Sequence, residues 1–253
     1  MIEVENLVRR FGPAVAVDGI SFRVDDGEIY GLLGPNGSGK STTMKILAGI
    51  LPPTSGRVVV GGVDVSQNPL RVKEITGYVP ETPALYESLT PVEFFNFVGS
   101  VRRIPEEKLQ ERVDALVRAF GIEEYLGEMI GSLSFGTRQK VSLISAMLHD
   151  PEVLILDESM NGLDPKSARI LRELLMDFRE EGKSIVFSTH VLALAEMICD
   201  RIGVIYNGRL IAEGTVEQLK ELAHEESLED VFLKLTESRD EVLGIVQALK
   251  EAL

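Results

Sequence analysis

Nine consecutive residues, Gly34-Pro35-Asn36-Gly37-Ser38-Gly39-Lys40-Ser41-Thr42, restrict what this chain can fold into more than any other stretch. They follow an apolar run, residues 28–33, that reads as a buried strand. They precede residues 43–50, which read as a helix with Met44, Ile46 and Leu47 on its apolar side. A glycine-rich turn between strand and helix that closes on Gly-Lys-Ser has the spacing of a phosphate-binding loop. Glycines let successive backbone N–H groups turn inward toward an anion, the helix start adds partial positive charge, and Lys40 supplies a full one. Ser41 then offers a hydroxyl to Mg²⁺.

Composition narrows the partners. The 253 residues carry 26 basic and 40 acidic side chains, a formal charge of −14. Such a surface repels nucleic-acid phosphates and anionic lipid, so nucleic acid is not expected as a partner. No apolar run approaches the length that spans a bilayer, and residues 1–5 lack the apolar core of a signal peptide. The single cysteine, Cys199, excludes an internal disulfide framework and fits a reducing compartment. The cytoplasm is the expected location.

Along the chain, alternation at residues 2–8 and 20–24 predicts half-buried antiparallel strands, with a turn at residues 10–13 that carries Phe11. Residues 57–60 and 75–79 read as further strands, with Gly61-Gly62 and Asn68-Pro69 as turns. Thr90 and Glu93 bracket Pro91 as a capping box, starting a helix with Phe94, Phe95 and Val98. A second helix is predicted over residues 105–120. Together with a third from Arg138 to Leu148, these make residues 82–148 an all-helical insert in the α/β core. Ser134 is a natural N-cap for that third helix, and Gly136 allows a ligand close to the backbone.

The run Val153-Leu154-Ile155-Leu156-Asp157-Glu158 predicts a doubly covered parallel strand ending in two carboxylates, where open α/β sheets place their ligand chemistry. Asp164 and Pro165 open a helix that reaches Gly182, residues 184–189 form a strand ending at His190, and residues 202–206 and 209–213 flank an Asn207-Gly208 hairpin. Thr215 and Gln218 form a second capping box. Two amphipathic helices follow, with stripes Leu228, Val231, Phe232, Leu235 and Val242, Ile245, Val246, Leu249, expected to pack on the body.

The order of these signals resembles that of the ATP-binding-cassette (ABC) ATPase, the motor subunit of ABC transporters. The loop 34–41, Leu133-Ser134-Phe135-Gly136-Thr137, the strand ending in Asp157-Glu158, the turn 161–164 and His190 carry the resemblance, which spans about residues 1–235. Residues 227–233 are similar to the tail of bacterial exporter cassettes whose membrane protein is a separate chain.

The resemblance implies a P-loop NTPase core with an N-terminal antiparallel β-subdomain. Residues 1–213 would be the ATPase domain and 214–253 a helical tail. It implies ATP and Mg²⁺ as cofactors. Phe11 would stack on adenine, and Lys40 would neutralise the β and γ phosphates. Ser41 and Asp157 would hold the metal, Glu158 would deprotonate the attacking water, and His190 would sense the γ phosphate. Ser134 and Gly136 would act on the nucleotide of a second cassette in a head-to-tail dimer, with Asp164 touching that partner. A separate transmembrane permease would dock near residues 81–97, where Leu85, Tyr86, Phe94 and Phe95 would line a groove. The chain would then sit peripherally on the inner face of the membrane.

Five residues in three places depart from the family pattern. Glu81 stands where glutamine is usual and is expected to reach Mg²⁺ as the glutamine would. Phe135 and Thr137 replace the usual glycine and glutamine, and Ser159-Met160 replaces Pro-Thr. The alternative readings are a cassette ATPase acting outside transport and a regulatory nucleotide-binding module of low turnover. The joint presence of Lys40, Asp157, Glu158 and His190 favours turnover.

Overall fold

A computed structural model describes residues 1–236. The stripe from Val242 to Leu249 therefore lies outside the described residues. A six-stranded sheet organises the fold, in the order β10(Arg209–Gly214), β9(Arg201–Tyr206), β3(Ile29–Leu33), β8(Ser184–Thr189), β7(Val153–Asp157), β6(Thr76–Val79). Its five strands from β9 to β6 run parallel, and β10 returns antiparallel. A second, antiparallel sheet has the order β2(Ala14–Val24), β1(Ile2–Phe11), β4(Ser55–Val60), β5(Val63–Asp64).

All five residues of β7 are buried, because the sheet is covered on both faces. Period-two alternation divides them. Leu154 and Leu156 join Ile185 and Phe187 in a cluster with helices α3(Pro91–Val101), α4(Glu106–Phe120), α5(Phe135–Met147) and α6(Pro165–Glu180). Val153 and Ile155 point the other way, to Tyr30, Leu32, helix α1(Lys40–Leu47) and the antiparallel sheet. The Phe22 ring stacks on Tyr30 there, with centroids 5.0 Å apart.

Local sequence rules account for most element ends. Thr90 and Glu93 exchange both capping-box hydrogen bonds at the start of α3, and Thr215 and Gln218 do the same at α8(Val216–Ala223). Asp164 caps α6 with Pro165 in its first turn. Asn207 and Gly208 both take positive φ, as a two-residue hairpin requires. Helices α8 and α9(Leu228–Leu235) bury Leu219, Leu228 and Val231 against Leu33, Ile202 and Val204.

Three elements differ from the sequence expectation. Asn68-Pro69 is not a turn: Asn68 caps helix α2(Pro69–Ile75), accepting the Arg71 N–H at 3.2 Å. Proline at the first helical position starts a helix as readily as it marks a turn. Helix α7(Leu192–Ile198), after His190, has no capping side chain to announce it. In the expected groove, Phe95 is a fully buried core residue, because the apolar face of α3 turns toward α4 and α5.

Candidate active site at the strand ends

Strand register sets the site. Leu33 pairs with Thr189, Asp157 with Ser188, and Val79 with Leu156, so four parallel strands end at one edge of the sheet. The segments that leave this edge carry the glycine loop from β3, Glu158 from β7, His190 from β8 and Glu81 from β6. Asn36, Gly37, Gly39, Lys40, Ser41 and Thr42 line a single cleft with Glu81, Glu158 and Ala16.

The loop is stitched into a cradle. Ser38 N–H donates to the Pro35 carbonyl at 3.2 Å, and Gly208 N–H donates to the Ser38 carbonyl at 2.9 Å. Gly39 has φ 109°, and a Cβ there would lie 2.5 Å from the Ala16 carbonyl oxygen, so only glycine fits. Lys40 is buried and folds over the loop, donating to the carbonyls of Gly34 at 2.8 Å and Pro35 at 3.2 Å. Its Nζ also lies 3.7 Å from Glu158 Oε1. The free N–H groups of the α1 N-terminus face the same cleft, with no acidic residue in the first turn.

Glu158 sits just past β7 in a left-handed conformation, φ 49°. That backbone costs a non-glycine residue about 1–2 kcal/mol, and the surroundings hold it. Its N–H donates to the Ser188 carbonyl at 3.2 Å and to Ser188 Oγ at 3.1 Å. Its carboxylate is buried, and Oε2 meets His190 Nδ1 at 2.8 Å and the His190 backbone N–H at 3.3 Å. Oε1 has no hydrogen-bond partner among the described residues. A buried oxygen left open beside a lysine suits a group that acts on something entering the cleft.

Asp157 is buried next to it and accepts a 2.7 Å hydrogen bond from Ser188 Oγ. Burial pushes its carboxyl above the ordinary range, and the Ser188 and Ser41 hydroxyls oppose that shift. Ser41 and Asp157 thus face each other across the floor, where a hard cation with phosphate and water ligands would fit. Among the described residues there is no cluster of three acidic, histidine or cysteine side chains that would hold a metal alone. A Mg²⁺ ion on this floor would need phosphate oxygens beside Ser41 and Asp157, with Glu81 exposed at the rim.

Other candidate residues lie elsewhere. Phe11 is 47% exposed at the end of β1 and stacks under the Arg9 guanidinium at 4.5 Å, outside the cleft lining. Ser134 and Gly136 lie at the α5 N-terminus, outside that lining as well. Ser134 Oγ accepts the Thr137 N–H at 3.2 Å, leaving the end of α5 at an exposed surface. Asp164 accepts from Lys140 Nζ at 2.7 Å and from the Ser167 N–H and Oγ at 2.9 and 2.7 Å, which together hold its carboxyl well below the usual range. Sequence reasoning missed Ser188 and Gln139. Ser188 sits at the end of a regular strand, and only its register with Asp157 shows that it faces the site.

Residues 17–161 match the family model described as ABC transporter. The chain is 37% identical over 230 residues to an uncharacterized ABC transporter ATP-binding protein, MJ1023, of Methanocaldococcus jannaschii, covering 90% of this chain and 83% of that protein. It is 33% identical to the ABC transporter ATP-binding protein NatA of Bacillus subtilis, covering 92% and 97%. A probable multidrug ABC transporter ATP-binding protein, YbhF of Escherichia coli, is 35% identical over 95% of this chain, which spans only 42% of that relative. Among solved structures, an ATP-binding subunit of an ABC transporter superposes with a TM-score of 0.88 at 33% identity, covering 93% of this chain and 99% of that one. The dimeric cassette MJ0796 bound to ADP and Pi shares the fold, with a TM-score of 0.78 at 22% identity over 85% of this chain and 98% of that one. The chain belongs to the ABC transporter family, among its ATP-binding cassettes.

Proposed function

We propose that the chain is the ATP-hydrolysing subunit of an ABC transporter, working as a head-to-tail pair of cassettes to drive export through a separate transmembrane protein. The observation that carries this reading is the buried Glu158 carboxylate, with Oε2 committed to His190 and Oε1 open beside Lys40 at the mouth of the glycine loop. In this reading residues 1–213 are the motor, the helical stretch 82–148 is its insert, and helices α8 and α9 begin the tail that follows. The relative named as a probable multidrug transporter protein supports export as the direction.

The loop N–H groups and Lys40 bind the triphosphate, the lysine exchanging loop carbonyls for phosphate oxygens. Ser41 and Asp157, with Glu81 at the rim, would hold Mg²⁺, which would supply charge neutralisation on the transferring group. Glu158 Oε1 takes the proton of the attacking water, while His190 fixes the orientation of the carboxylate and meets the γ phosphate. Ser134, Gly136 and the exposed start of α5 close over the nucleotide of the second cassette. Phe11, exposed at the end of β1 with Arg9 on one face of its ring, is the aromatic offered to adenine.

The permease docks, in this reading, on the surface between α2 and α3, where Leu70, Phe97 and Val101 are exposed beside Tyr86. Docking there keeps the chain at the cytoplasmic face of the membrane. The pairing is tested by the mass of Glu158→Gln in solution. With Mg²⁺ and ATP it should double, and the added substitution Ser134→Arg should return it to that of one chain. A Glu158→Gln chain that binds ATP and keeps the mass of a monomer contradicts the two-cassette site.

A further inference from the structure

Gln139 lies on the second turn of α5, with none of its surface exposed. Its Nε2 donates to the Ser159 carbonyl at 2.8 Å, and its Oε1 is buried without a partner among the described residues. A half-satisfied buried amide costs about 1–3 kcal/mol relative to a satisfied one. An apolar residue of the same size would fill this space without that cost, so filling space is not its distinguishing contribution. The contact falls on the residue that follows Glu158.

The turn at Glu158 is held on two sides. Ser188 accepts the Glu158 N–H from the β8 side, and Gln139 grips the next residue's carbonyl from the α5 side. The rest of α5 follows the same loop. Lys140 Nζ reaches Asp164 at 2.7 Å. Gly162 lies so close to the Phe135 ring that a Cβ there would be 2.5 Å from Phe135 Cδ1, and a Cβ on Gly136 would be 2.5 Å from the Gly162 carbonyl oxygen. One face of α5 therefore clamps the loop from residue 159 to residue 164.

We propose that Gln139 is a positioning residue for hydrolysis, its amide holding the Ser159 carbonyl so that the left-handed turn keeps Glu158 aimed into the cleft. The inference rests on the ATPase reading above. Gln139 is fully buried and outside the cleft lining, so it acts through Glu158. Without the amide, the strained turn is held from one side only, and the carboxylate drifts from its place between Lys40 and His190. A displacement of about 1 Å at a catalytic group costs up to about a hundredfold in rate.

The test is steady-state ATP hydrolysis and ATP affinity of the full chain carrying Gln139→Met, alone and combined with Glu158→Gln. Gln139→Met is expected to lower kcat by about tenfold or more. ATP affinity and KM should stay within about twofold of wild type, as they must if only the base is displaced. In the Glu158→Gln background the same substitution should change the residual rate by less than about twofold, because the base it positions is gone. An unchanged kcat, a parallel loss of ATP affinity, or losses that multiply in the double variant overturn the proposal.

Gln139→Glu keeps the shape and serves if the methionine variant does not fold. Its carboxyl donates to the Ser159 carbonyl only when protonated, so its rate relative to wild type is expected to be lowest at alkaline pH and to rise as pH falls. A ratio near one at every pH contradicts the role. A wild-type chain that binds ATP and never hydrolyses it overturns the ATPase reading itself, a result distinct from any failure of Gln139.

Discussion

At the scale of single residues, the cleft is built from side chains whose resting partners are weaker than those a nucleotide offers. Lys40 rests on two carbonyls, and Glu158 leaves one oxygen open. Away from the cleft, His149 shows how burial acts without function. Its Nε2 meets the Thr76 carbonyl at 3.0 Å and so carries the proton, while Nδ1 is buried without a partner. Burial, with help from Arg102 and Arg112, lowers its pKa to about 4. Between the unfolded value near 6.5 and that folded value, the unfolded chain takes up a proton that the folded one refuses. Stability therefore falls as pH drops through that window, by about 3 kcal/mol in full. His149→Gln, whose amide can still donate to Thr76, should lose correspondingly less between pH 7 and pH 4.5 in urea unfolding. Equal losses in both proteins contradict the assignment. The residue types of the cleft were legible in sequence because the glycine loop and the Asp157-Glu158 pair are local patterns. Ser188 and Gln139 were not, since their partners are 31 and 20 positions away in the chain.

At the scale of elements, the parts that announced themselves did so through caps and alternation. The α3 and α8 capping boxes, the β7 apolar run and the Asn207-Gly208 turn formed where expected. Helix α2 was misread because Asn68-Pro69 serves turns and helix starts alike, and α7 because it is short and uncapped. The groove reading held for Leu85 and Phe94, which line a cleft beside Glu81, and failed at the fully buried Phe95 for another reason: helical spacing reveals an apolar face and not which neighbour covers it. Helix α9 is anchored by Leu228 and Val231, both buried on the β9 side of the sheet. Leu228→Ala is expected to cost about 2–4 kcal/mol of stability by thermal or urea unfolding. A loss below about 1 kcal/mol contradicts the packing of this helix against the body.

At the scale of the whole molecule, the two sheets and their helices bring four strand ends to one edge, and the exposed start of α5 lies outside that cleft. If two cassettes pair as proposed, ATP would join the cleft of one to the α5 start of the other, and hydrolysis would part them. The account stands on Glu158 as the group that activates water. Phosphate release from saturating Mg²⁺-ATP by wild type and by Glu158→Gln tests it most directly. The account predicts a rate about 10²–10⁴ lower in the variant with ATP affinity retained. Equal rates of phosphate release in the two proteins would contradict it.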